Sequence, residues 1–144
     1  VKIIKDTACD IDIKMLKKCG EWVLGKIGGK DRRINVLITG DERIKELNKR
    51  FRGTDSSTDV LAFPYHDKDL WGEMVLSMDR IKENALKYGV KEEEEILRVL
   101  IHGILHLFGE TDAAETEARR MINRQESLLK EFLQTQGRGE VPFG

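Results

Sequence analysis

Two histidines four residues apart, His102 and His106, lie in the most apolar stretch of this chain. The stretch runs from Ile96 to Phe108, ILRVLIHGILHLF, and only Arg98, His102, Gly103 and His106 interrupt its large apolar residues. On a helix, positions i and i+4 share a face one turn apart. A single buried histidine is simply satisfied by a backbone carbonyl. Two on one dry face each need a polar partner, and one shared cation serves both. Zinc is the default ion for imidazole ligands, and a catalytic zinc takes three protein ligands and keeps one position open.

The third ligand has several candidates. Asp112 follows Gly109, which can adopt the left-handed turn that ends a helix and brings the chain back toward the imidazoles. Glu110, Glu115 and His66 are alternatives. An aspartate in the set lowers the net site charge from that of three neutral imidazoles, weakening the Lewis acid and making other divalent ions more competitive. In HExxH zinc proteases the residue after the first histidine is the glutamate base. Here that residue is Gly103, which cannot move a proton. Glu73 could act as an acid or base, or be an ordinary surface glutamate.

Periodicity sets out the strands and helices around these groups. Val1–Lys5, Arg33–Thr39, Thr58–Tyr65 and Gly72–Met78 read as strands, the last two as a hairpin with Pro64 suited to an edge. Asp10 is an expected N-cap for a helix bearing Ile13, Leu16, Trp22, Val23 and Leu24, and Asp41 opens a second helix through Phe51. Asp79 is expected to cap a third helix ended by Gly89. Glu92–Glu95 place negative charge at the positive end of the central helix. A last helix, near Ala114–Gln134, carries Ala118, Met121, Ile122, Gln125, Leu128, Leu129 and Phe132 on one face. The expected fold is α+β: one compact domain over residues 1–144, with a mixed sheet of about four strands. Helices pack on that sheet around a central apolar helix bearing the metal ligands, and residues 136–144 form a loose tail.

Composition narrows the functional classes. The 144 residues are 40% hydrophobic, 35% charged and 6% aromatic, with 25 basic against 26 acidic side chains. So balanced a charge disfavours general nucleic-acid binding, and an RNA partner must meet a local patch. Basic residues cluster at Lys45, Lys49, Arg50 and Arg52, and again at Arg119, Arg120 and Arg124. No apolar run reaches the ~20 residues of a membrane span. The start, Val1-Lys2-Ile3-Ile4-Lys5-Asp6, does not read as a signal peptide, and Cys9 and Cys19 read as a reduced pair, so a cytoplasmic location is expected.

His102-Gly103-Ile104-Leu105-His106-Leu107-Phe108-Gly109 resembles the start of the signature HGxLHLxGxDH of the YbeY family, endoribonucleases also described as rRNA maturation factors. Three further segments resemble that family in order and spacing: Leu47–Gly53 (LNKRFRG), Thr58–Pro64 (TDVLAFP) and Gly72–Ser77 (GEMVLS). The resemblance implies a zinc-dependent single-strand endoribonuclease acting on ribosomal RNA, at the small-subunit RNA 3′ end, and in ribosome quality control. It implies one Zn2+, or another divalent metal, with no organic cofactor and no membrane. Its partners would be rRNA and the ribosomal small subunit. His102 and His106 match the first two metal ligands, and Arg52 matches an arginine assigned to catalysis. Lys49 and Arg50 would follow the RNA backbone. Asp112 falls where the family has its third histidine, and Thr111 replaces the aspartate before it. A non-catalytic, metal-stabilised assembly factor is the alternative reading, and a metalloprotease-like hydrolase a more distant one.

Overall fold

The computed structural model describes residues 1–137. In chain order the elements are β1 (Lys2–Lys5), α1 (Ile13–Lys26), β2 (Ile34–Thr39), α2 (Asp41–Arg52) and β3 (Val60–Pro64). They continue with β4 (Gly72–Ser77), α3 (Met78–Tyr88), α4 (Glu92–Leu107) and α5 (Glu115–Thr135). The four strands form one mixed sheet in the order β1-β2-β4-β3. β1, β2 and β4 run parallel, with Ile34 opposite Gly72 and Thr39 opposite Ser77 in the central pair. β3 is antiparallel to β4, from Val60 opposite Leu76 to Pro64 opposite Gly72. It forms the edge that the proline, lacking a ladder donor, requires.

Both faces of the sheet are covered, which is why β2 and β4 carry apolar side chains on both sides of their middle residues, Val36–Ile38 and Met74–Leu76. Met74 and Leu76 of β4 face the main core, while Val75 joins Ile44 and Leu61 in a second cluster under α2. α4 fills the centre of the main core and touches α1, α3, α5, β3 and β4. Leu100, Ile101, Ile104, Leu105 and Leu107 are wholly buried. Each stabilises the fold by roughly 1.5–3 kcal/mol relative to exposure.

Gly103 has a structural reason as well as a chemical consequence. A Cβ built there would lie 2.4 Å from Met74 Sδ and 3.2 Å from Val60 Cγ2. The missing side chain lets α4 press against β3 and β4, and so brings the imidazoles to the edge of the sheet.

Two helix starts differ from expectation. Asp12, rather than Asp10, caps α1, because its Oδ1 accepts the Met15 N–H at 3.0 Å. Ser77, rather than Asp79, caps α3 by accepting from the Arg80 N–H at 3.3 Å. Asp79 already lies within the first turn, and its carboxylate accepts from the Asp41 N–H at 2.7 Å, capping α2 across the fold. The expected loose tail falls on Gln136 and Gly137, which turn off the end of α5, and on residues 138–144, which lie outside the described residues.

Candidate metal centre

The end of α4 is built to hold a turn. Gly109 takes φ +91°, the Gly109 N–H bonds the His106 carbonyl at 3.0 Å, and the Glu110 N–H bonds the Leu105 carbonyl at 3.0 Å. This Schellman arrangement satisfies carbonyls that a helix end otherwise leaves unpaired. The next carbonyl, Leu107, accepts from Trp71 Nε1 and His66 Nε2, each at 3.1 Å. His66 therefore anchors the helix end and does not join the ligand cluster.

The turn has two consequences for the histidines. It aims the Glu110 carbonyl at His106 Nδ1, 3.0 Å away, and returns Asp112 toward both rings. His102 Nδ1 meets Gln125 Oε1 of α5 at 2.6 Å. A carbonyl oxygen can only accept, so His106 donates from Nδ1. Gln125 donates its amide nitrogen to Glu126 at 3.0 Å, which turns its oxygen toward His102 and makes that ring donate from Nδ1 as well. Each neutral imidazole then presents a bare Nε2 lone pair.

Those two Nε2 atoms lie 3.1 Å apart, with Asp112 Oδ2 at 4.0 Å from His102 and 3.8 Å from His106. His102, His106 and Asp112 are the group able to hold a metal among the described residues. Three acceptors converge without a donor, a set that calls for a cation. Separations of 3.1, 3.8 and 4.0 Å let all three atoms reach a single small cation. Burial, then the adjacent His102, holds the His106 pKa below its ordinary value, against Asp112 and the Glu110 carbonyl, which raise it. His106 thus stays neutral at pH 7, the form that ligates. The donor set fits a divalent ion.

The remaining candidates separate clearly. Glu110 uses its carboxylate on Arg124, and Glu115 pairs with Arg119 at 3.1 Å. The second basic cluster is therefore partly neutralised by its own helix and turn. Glu73 lies on the far face of β4, where its carboxylate accepts from Tyr65 at 2.9 Å and Asn35 at 3.2 Å. Strand alternation sends it away from α4. Both cysteines are free thiols, and burial pushes Cys19 up to about 12.

Arg52 reaches the site from the end of α2. Its guanidinium donates to the Ala62 carbonyl of β3, lies 5.4 Å from the centre of the Phe63 ring, and contributes charge felt at His106. Arg52, Thr58, Asp59, Ala62, His102, His106 and Asp112 share one cleft of about 380 Å3. Lys49 and Arg50 are exposed on the last turn of α2 and do not line that cleft. The partner most easily missed in the sequence is Gln125, whose signal was being polar within an apolar stripe.

The family profile described as Endoribonuclease YbeY matches residues 3–133. The chain belongs to the YbeY endoribonuclease family. Among curated YbeY endoribonucleases, that of Thermosipho melanesiensis is 37% identical over 133 residues, covering 92% of this chain and 96% of the relative. That of Thermotoga maritima is 38% identical over 116 residues, covering 80% and 76%. The solution structure of a Thermotoga maritima protein superposes with a TM-score of 0.69 at 33% identity, covering 94% of this chain and 90% of the other. The YbeY assignment thus spans nearly all the described elements, including every residue of the cleft.

Proposed function

We propose that this chain is a metal-dependent single-strand endoribonuclease that acts in ribosomal RNA maturation, at the small-subunit RNA 3′ end, and in ribosome quality control. One observation carries the reading: a His-His-Asp donor set and an arginine share one cleft in a chain of the YbeY family. His102, His106 and Asp112 would hold one ion, with zinc favoured by the two imidazoles and other divalent metals admitted by the aspartate. Such an ion supplies Lewis-acid charge beside a phosphodiester. Arg52 offers paired N–H donors matched to two phosphate oxygens, and it would neutralise the negative charge that builds on those oxygens. Lys49 and Arg50, one turn away on the surface, would lead the backbone of the strand toward the cleft.

The same reading places the protein in the cytoplasm with the ribosomal small subunit as partner. No helix among the described residues is long and apolar enough to cross a membrane.

The test is RNA cleavage by wild type beside His102→Ala and Arg52→Ala. Wild type should cleave, and both variants should lose at least about a hundredfold in rate, as removal of one charge-stabilising group typically costs. Arg52→Ala should keep its metal. Equal cleavage by all three proteins would overturn the proposal. End-group analysis then identifies the nucleophile, because a 2′,3′-cyclic phosphate product requires attack by the 2′-hydroxyl.

A further inference from the structure

Gln125 lies on the buried face of α5, between Met121 and Leu128–Leu129, and is only 7% exposed. A primary amide in such surroundings is costly unless both ends are bonded. Both are. Its nitrogen donates to Glu126 Oε2 at 3.0 Å, and its oxygen meets His102 Nδ1 at 2.6 Å.

The orientation of the amide is itself held from α4. Glu126 accepts from Arg98 Nε at 2.8 Å and from a terminal Arg98 nitrogen at 3.1 Å. Arg98 in turn donates to Glu95 at 2.8 Å and Glu94 at 2.9 Å. The arginine stands one turn before His102 on the same helix. α4 and α5 are thus joined by a polar chain that starts and ends on α4: Arg98 to Glu126, Glu126 to Gln125, Gln125 to His102. Its members fix one another, since the carboxylate can only accept and the guanidinium can only donate.

We infer that Gln125 is a positioning residue for the cation site: it keeps His102 protonated on Nδ1, with Nε2 bare and aimed at His106 and Asp112. This assignment rests on the reading of that cluster as a metal site. The His102 ring could otherwise carry its proton on Nε2, the form that cannot ligate through that atom. Outer-shell acceptors of this kind set the tautomer and orientation of a ligating histidine, and losing one typically weakens metal binding about 10–100-fold. His106 receives the same service from the Glu110 backbone carbonyl, which no side-chain substitution removes. The two histidines should therefore respond differently to a change at Gln125.

The experiment uses the full chain, 15N-labelled at histidine, first stripped by chelator and then titrated with Zn2+ alone. In stripped wild type above neutral pH, the ring-nitrogen shifts should show His102 protonated on Nδ1. Gln125→Leu should shift His102 toward the Nε2-protonated form, leave His106 unchanged, and weaken zinc binding about 10–100-fold in chelator competition. Gln125→Met, which keeps side-chain length without the acceptor, should do the same. A His102 proton on Nε2 in wild type overturns the inference without any variant, whether or not the substituted chains fold. Folded variants with unchanged zinc affinity overturn it too. A chain with the expected tautomer and zinc affinity that cleaves no RNA keeps this inference and loses the endoribonuclease reading.

Discussion

Asp112 and Glu110 stand two residues apart on one turn, yet their carboxylates do different work. Asp112 faces both Nε2 atoms, whereas Glu110 is engaged with Arg124 and serves His106 only through its backbone. Asp112→Ala should therefore cost zinc affinity more than the roughly 10–100-fold typical of outer-shell changes, while Glu110→Ala should stay within a few-fold of wild type. Chelator competition measures both, and the reverse ranking would reassign the third ligand. Spacing showed only that a carboxylate from this turn could come back to the imidazoles, because a glycine directly after the helix reverses the chain. Glu110 and Asp112 remained rivals on spacing alone, and it was the ion pair with Arg124 that separated them.

At the scale of elements, the contact between α4 and the sheet rests on Gly103. Gly103→Ala forces Met74 and Val60 to give way, and should destabilise by about 1–3 kcal/mol, the usual cost of overpacking a filled core. A urea midpoint no lower than that of wild type would refute it. Asp41 makes a second junction. It opens α2, accepts from Ser77 at 3.0 Å and Arg80 at 3.3 Å, and is bonded by Ser57. Burial works to raise its pKa, but the bonds from Ser57, Ser77 and Arg80 outweigh that and hold it below the ordinary 3.8. A carboxyl lowered in the fold contributes stability that is present above the ordinary value and lost as pH falls through the folded one. Asp41→Asn should thus flatten the acid limb of stability below about pH 4 and cost about 1 kcal/mol near neutrality, with exposure keeping the effect small. Urea midpoints over a pH series test it, and an acid limb identical to wild type would count against it. The helices and strands themselves were readable from periodicity. The caps were not, since Asp10 and Asp12, or Ser77 and Asp79, differ only in which oxygen reaches an orphan N–H.

For the molecule as a whole, a net charge of −1 leaves little general attraction for RNA. Binding should depend on Lys49, Arg50 and Arg52. Three phosphate contacts to a single strand correspond to a slope of about −2 in log affinity against log salt. Filter binding or anisotropy with a chelated protein measures the slope, and a much steeper value would show that a broader basic surface takes part.

The central helix, the two imidazoles on one of its faces, the glycine turn and the aspartate beyond it can all be read along the chain. It also carried the four ordered motifs that mark the family. These are local relations, decided by helix pitch and by one left-handed residue. It took the packed fold to show that Gln125 of α5 bonds His102, that Arg52 of α2 shares the cleft of both histidines, and that Glu73 turns to the opposite face of the sheet. Those contacts join residues far apart in the chain, and it is the packing of elements against one another that brings them together or keeps them apart.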